Sequence, residues 1–500
     1  MPGKLSSTER LPRRILIVLD RLHWLWLVLA APFLLFPSPK RSAFLLIVPG
    51  LFLLHWLTNK VSQSGEAAKA QPASRNLAPI LPSTPLNGPL LLMMVMVLVS
   101  LWASNDISFS LPKVSGLVLG LGAFFAVVRE SEHPHGWLFG LLAFIGIGSA
   151  IATLGILGTS NFSNKFVLFI PITSRLPRLF TGLAGAQAGI NSNEVAGALT
   201  WLLPVMIAIC IGLFFFRKSY PDNNAKAPKK NYANIFMSSL CVKISCLAVT
   251  GFLAVVFLVC QSRGAYFGLI ITLIVAVLIL LPPRWRTYSL ALMALVGIAL
   301  VSFLATHQQV VGNWLANSNL VTSAGVSLDT FNGRLEVWSR AIYGIEDFPF
   351  TGMGMNIFRN AVQILYPLPN ALSGIDIGHA HNEFLQAALD LGIPGLIAFI
   401  AIYINAFWML GVIWRTNRIN PNAAKQQSWV TALLVLGMAG GLFGHLFYGM
   451  TDAVALGAKP GLLLWILLGL ICGLYRRTLI DKPMVKNNAQ SIVFEDGAIE

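Results

Sequence analysis

The sequence predicts an all-α polytopic membrane protein of about twelve transmembrane helices with one large external loop. Three observations carry that expectation. Hydrophobic residues make up 56% of the 500 residues and charged residues only 11%, against about a quarter charged in soluble domains. Apolar runs recur along the chain, and a helix that crosses a bilayer needs about 20 such residues. Lys and Arg are shared unevenly between alternate connections, as the positive-inside rule requires.

The runs fall at about 22–36, 43–57, 88–103, 113–128, 136–157, 193–216, 237–260, 264–281, 288–305, 392–414, 429–448 and 460–475. The first, "RRILIVLDRLHWLWLVLAAPFLLF", is interrupted by Asp20 and Arg21 and outruns the apolar core of a signal peptide, so it reads as a retained membrane helix. With the N-terminus in the cytoplasm, connections on that side hold 23 Lys/Arg and external ones 11. The most basic, "RKSYPDNNAKAPKKNY" at 217–232, then falls inside, and an even number of spans puts both termini in the cytoplasm. The expected organisation is a bundle of about nine spans over 1–305, a large periplasmic loop with short helices over 306–391, about three spans over 392–475, and a polar cytoplasmic tail over 476–500. Segment 158–191 mixes apolar and basic residues and is expected to lie along the membrane surface.

The formal net charge of +15 reads as topology-setting flanks; no soluble basic domain is present to hold nucleic acid. Cys210, Cys241, Cys246, Cys260 and Cys472 lie in or beside apolar runs, without C-x-x-C spacing. They read as small buried side chains and imply no disulfide framework.

The polar features are few. "GHAHNEFLQAALDLGIPG" at 378–395 closes the large loop, with Asn382 as helix N-cap, Gly392 just past the helix end and Pro394 beyond it. Phe384, Leu385, Ala388 and Leu389 share one face of that helix. His379 and His381 stand at its N-terminal end, where free N–H groups and the helix dipole favour anions such as phosphate. "FNGRLEVWSRAIYGIEDFPFTGMGMNIF" predicts a helix from about Arg334 to Tyr343, capped by Asn332, with Arg334, Trp338 and Ala341 on one face. Gly352 and Gly354 would let backbone approach a phosphate, but a lone G-x-G is a weak signal and reads first as an ordinary turn.

In "CQSRGAYFG", Arg263 occupies a short external connection. It is either a snorkelling anchor or a cation for a phosphate or carboxylate. Glu194 opens its run as a helix N-terminal charge, Lys243 can snorkel to the cytoplasmic side, and Asp452 reads as a loop residue. His379-x-His381 supplies two ligands where a metal needs three or four, and the loop's other histidine is His307, so no metal site is expected.

Taken in order, "SRGA", "GRLEVWSRA…PFTGMGMNIF" and "HAHNEFLQAALDLGIPGL" resemble the bacterial O-antigen ligase family, over about residues 190–400. Its relatives are the O-antigen polymerases and O-linking oligosaccharyltransferases. The resemblance implies a GT-C type membrane glycosyltransferase in the bacterial inner membrane. Such an enzyme moves a glycan from a polyprenyl (undecaprenyl) pyrophosphate carrier to an acceptor hydroxyl at the periplasmic face, with no metal, nucleotide sugar or other cofactor. It implies that Arg263 and Arg334 bind the pyrophosphate, that His381 is the catalytic histidine, and that His379 and Asn382 support it. Implied partners are a lipid-linked glycan donor, a lipid A-core or lipid-linked acceptor, and membrane lipids.

Attack opposite the leaving pyrophosphate would invert the anomeric centre. Ligase stands slightly ahead of polymerase, and protein glycosylation shares the same motifs. The other reading is a membrane transporter, as in bicarbonate uptake. Charge-poor spans and a polar cluster outside the membrane core speak against it.

Overall fold

The computed structural model describes residues 15–66, 82–133, 135–159, 167–180, 190–215, 240–306, 331–368, 376–419 and 425–480. The basic connection 217–232, His307, the tail beyond 480 and parts of 158–191 lie outside these residues. Among the described residues the regular structure is helical, without a strand. Helix α1 is a pair, Ile15–Arg21 and His23–Leu35, bent by 59°. There follow α2 (Ile47–Glu66), α3 (Asn87–Ala103), α4 (Ile107–Glu130), α5 (Gly136–Gly158), α6 (Ser192–Phe215), α7 (Leu240–Val259), α8 (Arg263–Leu280) and α9 (Pro283–Thr306). The large loop holds α10 (Phe331–Asp347) and α11 (Phe358–Leu365). The chain then returns through α12 (Glu383–Ile419), α13 (Lys425–Gly449) and α14 (Leu462–Ile480).

Each expected apolar run coincides with a helix. Among the described residues nine helices are long and apolar enough to cross a bilayer, ten if the bent pair counts as one span. The other two of the expected twelve are α3 and α9. Helix α3 is about 25 Å long, short of the roughly 30 Å hydrocarbon core. The first turn of α9 carries Arg284 and Arg286. The protein is thus an all-α, multi-pass membrane protein.

Burial sorts the helices. Trp201 of α6, Phe124 of α4, Phe144 of α5 and Tyr448 of α13 are fully buried. Helices α7 and α8 turn Leu247, Val255, Ile270 and Leu273 outward, as lipid-facing helices must. Asp20, which breaks the first apolar run, is buried and accepts hydrogen bonds from both terminal nitrogens of Arg129 at the end of α4, one of them at 2.7 Å. His55 of α2 lies 3.3 Å from the same carboxylate. A charge inside an apolar run survives because a partner from another helix neutralises it. Of the cysteines, all free, Cys210, Cys260 and Cys472 are buried and Cys246 partly so; Cys241 is exposed on α7.

The large loop has its own apolar cluster: Val337, Ala341, Met353, Ile357, Phe358 and Val362, closed by Leu389 of α12. Helix α10 begins at Phe331, so Asn332 sits inside its first turn rather than capping it. Helix α12 is two helices in series, broken at Gly392 with φ +70° and ψ 177°. The first, 383–391, is buried on nearly all sides rather than on one face. Leu385 and Leu389 pack on the loop cluster, while Ala387 and Leu391 pack on the bundle. The turn "PFTGMG" plugs into the break: Met353 N donates to Leu389 O and Ile393 N donates to Pro349 O, both at 2.7 Å. A Cβ on Gly352 would stand 2.7 Å from Gly392 N, so the two backbones touch and no side chain fits between them.

Candidate functional site

The site lies where the large loop meets the connection between α13 and α14. Asn382 caps α12 as expected: its Oδ1 accepts from Phe384 N and Leu385 N at 3.0 and 3.1 Å. Its Nδ2 donates to Met450 O at 3.1 Å, fastening the cap to the α13–α14 connection. His381, the residue before the cap, has φ +48°, a left-handed conformation uncommon for residues other than glycine. Trp338 of α10 holds it there, donating from Nε1 to His381 O at 3.2 Å.

Asp452 is the hub. His381 Nδ1 lies 3.3 Å from its Oδ1, His379 Nε2 lies 3.7 Å from the same oxygen, and Arg334 Nη2 lies 3.6 Å from Oδ2. Ala453 N donates to Oδ1 at 3.0 Å. Burial alone would raise the Asp452 carboxyl; the His381 hydrogen bond and the charges of His381, His379 and Arg334 outweigh it and hold the group well below the usual carboxylate range. An ionised carboxylate only accepts, so His381 carries its hydrogen on Nδ1 and presents Nε2 at the far edge of the ring. Arg334 is loosely held. Among the described residues its Nε and Asp452 Oδ2 are both buried without a hydrogen-bond partner.

His379 plays a different part. Its Nδ1 accepts from His381 N at 3.1 Å, so that nitrogen is bare. Burial, then the neighbouring His381 charge, lowers its pKa from 6.5 to about 3, against the pull of Asp452. Between those values the unfolded chain binds the proton that the folded chain refuses, so stability falls as pH drops below about 6.5. The unfolding midpoint of the detergent-purified protein is expected to fall from pH 7 to pH 5. His379→Gln, whose amide oxygen can still accept from His381 N, is expected to flatten that slope; an unchanged slope would refute the assignment.

Of the expected site residues, His379, His381, Asn382 and Arg334 converge. Arg263 does not reach them directly: it is exposed at the start of α8, and among the described residues no hydrogen bond or ion pair joins it to the cluster. Its neighbour Gly264 does pack on Thr451, next to Asp452, where a Cβ would stand 2.4 Å from Oγ1. Arg263 therefore flanks the site. Asp452 is the residue that sequence reading passed over as a loop residue. Asp390 and Gln386 serve the site from behind. Gln386 Oε1 accepts from Ala380 N, and its Nε2 donates to Asp390 Oδ1, both at 2.8 Å. Asp390 in turn accepts from Asn356 N at 3.1 Å, tying the loop turn to α12.

His379, His381 and Asp452 together offer three ligand atoms within 4.8 Å of one another, one more than the sequence reading counted. Arg334, however, stands against the same carboxylate and competes with any cation for it.

Residues 248–400 match the family described as O-antigen ligase. No curated protein matches the chain. The match runs from α7 through Arg263, α10 and the histidines into α12, and stops short of Asp452. Residues 248–400, which carry Arg263, Arg334, His379, His381 and Asn382, are thus the part of this multi-pass membrane protein that is similar to the O-antigen ligase family.

Proposed function

We propose that this protein is an inverting glycan transferase of surface-polysaccharide assembly. It moves a glycan from a polyprenyl pyrophosphate to an acceptor hydroxyl at the periplasmic face of the inner membrane, with both termini cytoplasmic. The observation that carries the reading is His381 Nδ1 turned onto buried Asp452, with Arg334 beside the same carboxylate. His381 Nε2 takes the proton of the acceptor hydroxyl as oxygen attacks the anomeric carbon. Asp452 keeps the imidazole in the needed tautomer and stabilises the imidazolium that forms. The bond from the anomeric carbon to the pyrophosphate oxygen breaks, and the electron pair leaves with the pyrophosphate. Arg334, with Arg263 at the rim, meets that developing charge. A phosphate oxygen would also satisfy the unpartnered Nε of Arg334, whose burial without a partner costs about 1–3 kcal/mol.

Ligation onto lipid A-core stands ahead of polymerisation, and the test distinguishes them. A strain lacking the gene is expected to lose or shorten its surface-polysaccharide ladder and to regain it with the wild-type gene. Free long polymer in the deletion marks a ligase; single repeats mark a polymerase. An unchanged ladder would count against the proposal.

The reaction as drawn uses no metal, because Arg334 does the work of a cation at the Asp452 carboxylate. A reconstituted assay is expected to run at the same rate, within about twofold, after dialysis against EDTA. A loss restored by Zn²⁺ would assign His379, His381 and Asp452 to metal instead.

A further inference from the structure

Glu383 and His445 are buried groups that the chemistry above does not use. Glu383 opens α12 directly after Asn382, and His445 lies in the last turns of α13. His445 Nε2 is 2.9 Å from Glu383 Oε2. The ring stacks on Trp201 of α6, with centroids 3.7 Å apart and planes at 23°. Its Nδ1 lies 3.0 Å from both Gly197 O and Thr200 Oγ1.

The hydrogens in this cluster can be assigned. Gly197 O only accepts, and Thr200 Oγ1 donates its one hydrogen to Gly197 O at 2.5 Å. Both therefore accept from the ring, so His445 Nδ1 carries a hydrogen. The 2.9 Å contact needs one more, on Nε2 facing a carboxylate or on Glu383 facing a bare Nε2. Either way the pair is neutral overall.

Stability does not explain such a pair. A buried ion pair is often replaced by packed apolar side chains at no loss, and ionisable residues within membrane helices mark functional positions. Its placement does explain it. Residues 381–383 are joined to 445–452 at three points: His381 to Asp452, Asn382 to Met450 O, and Glu383 to His445. Glu383 Oε2 also occupies the space beside Gly449, where a Cβ would stand 2.7 Å away. His445 in turn is stacked and bonded to α6, deep in the bundle.

We propose that Glu383 and His445 are positioning residues for His381: a buried clamp, anchored on α6, that sets the His381 ring against Asp452. The inference rests on His381 acting as the base. The test uses the purified enzyme in vesicles with a lipid-linked glycan donor. Glu383→Ala removes the bond and is expected to lower kcat by about 10- to 100-fold, the cost of misplacing a reacting group by about 1 Å, with donor KM within about twofold. Glu383→Gln keeps the bond, its amide donating to the bare Nε2 of a neutral His445, and is expected to retain kcat within about threefold.

Wild-type kcat in Glu383→Ala would overturn the proposal, as would a folded Glu383→Gln that loses as much as alanine, or a rise in KM alone. If Glu383→Ala does not fold, Glu383→Gln decides alone: retained kcat supports the clamp and lost kcat overturns it. His381→Ala in the same vesicles separates the two ideas. Full activity there sinks the catalytic reading itself, whereas failure of the Glu383 series alone leaves that reading standing.

Discussion

His381→Ala is expected to cut the rate of glycan transfer at saturating donor and acceptor by about 10²–10⁴-fold, the usual contribution of a positioned general base. Alanine removes Nε2 but keeps the backbone N–H that His379 accepts and the carbonyl that Trp338 bonds. The variant should therefore insert and purify like wild type. Donor KM should change little, because the loss falls on an interaction made in the transition state. Full activity in reconstituted vesicles would remove His381 from the chemistry. The left-handed backbone at this residue, φ +48°, gives the prediction independent support. Strain of that kind costs about 1–3 kcal/mol and persists where surrounding structure enforces it.

Asp452→Asn is expected to be nearly as damaging, on the order of 10³-fold in kcat. The volume is unchanged. The negative charge is lost, and it is the charge that faces Arg334, His379 and His381 at once. An asparagine amide can also donate to Nδ1, which drives the hydrogen onto Nε2, where a base must be bare. No charge then stabilises the imidazolium that forms as the proton is taken. If Asp452 merely braced the connection between α13 and α14, the unfolding midpoint would drop while kcat stayed as in wild type.

Local features of this site were legible in the sequence, and pairings across the bundle were not. Asn382 as a cap and Gly392 as a helix end follow from chemistry within one turn of chain. The face shared by Arg334, Trp338 and Ala341 follows from helical periodicity, and all three point inward as expected. Asp452 stands 71 positions from His381, and nothing local marks it as different from other external acids. The signal that could have found it was topological. It is a lone carboxylate in the connection between the last two apolar runs, on the same side as the histidines. Glu383 and His445, 62 positions apart, were hidden for a related reason: a single histidine in an apolar run looks inert until its partner is known. The buried underside of segment 383–391 was misjudged because amphipathic periodicity registers one apolar neighbour, and this helix has two, the loop cluster and the bundle.

The break in α12 at Gly392 makes the helix 383–391 a rigid spacer. It rises about 13 Å, at 1.5 Å and 100° per residue, and its foot is fixed by the backbone contact between Gly352 and Gly392. The height of His381 above the apolar run and the compass direction in which its ring faces are therefore set by one count of residues. Neither depends on how deeply surface side chains settle into a particular lipid mixture. The proposed base keeps its elevation and bearing, and variation in bilayer thickness is left to the proposed lipid-borne substrates, which must bring their headgroups to that level.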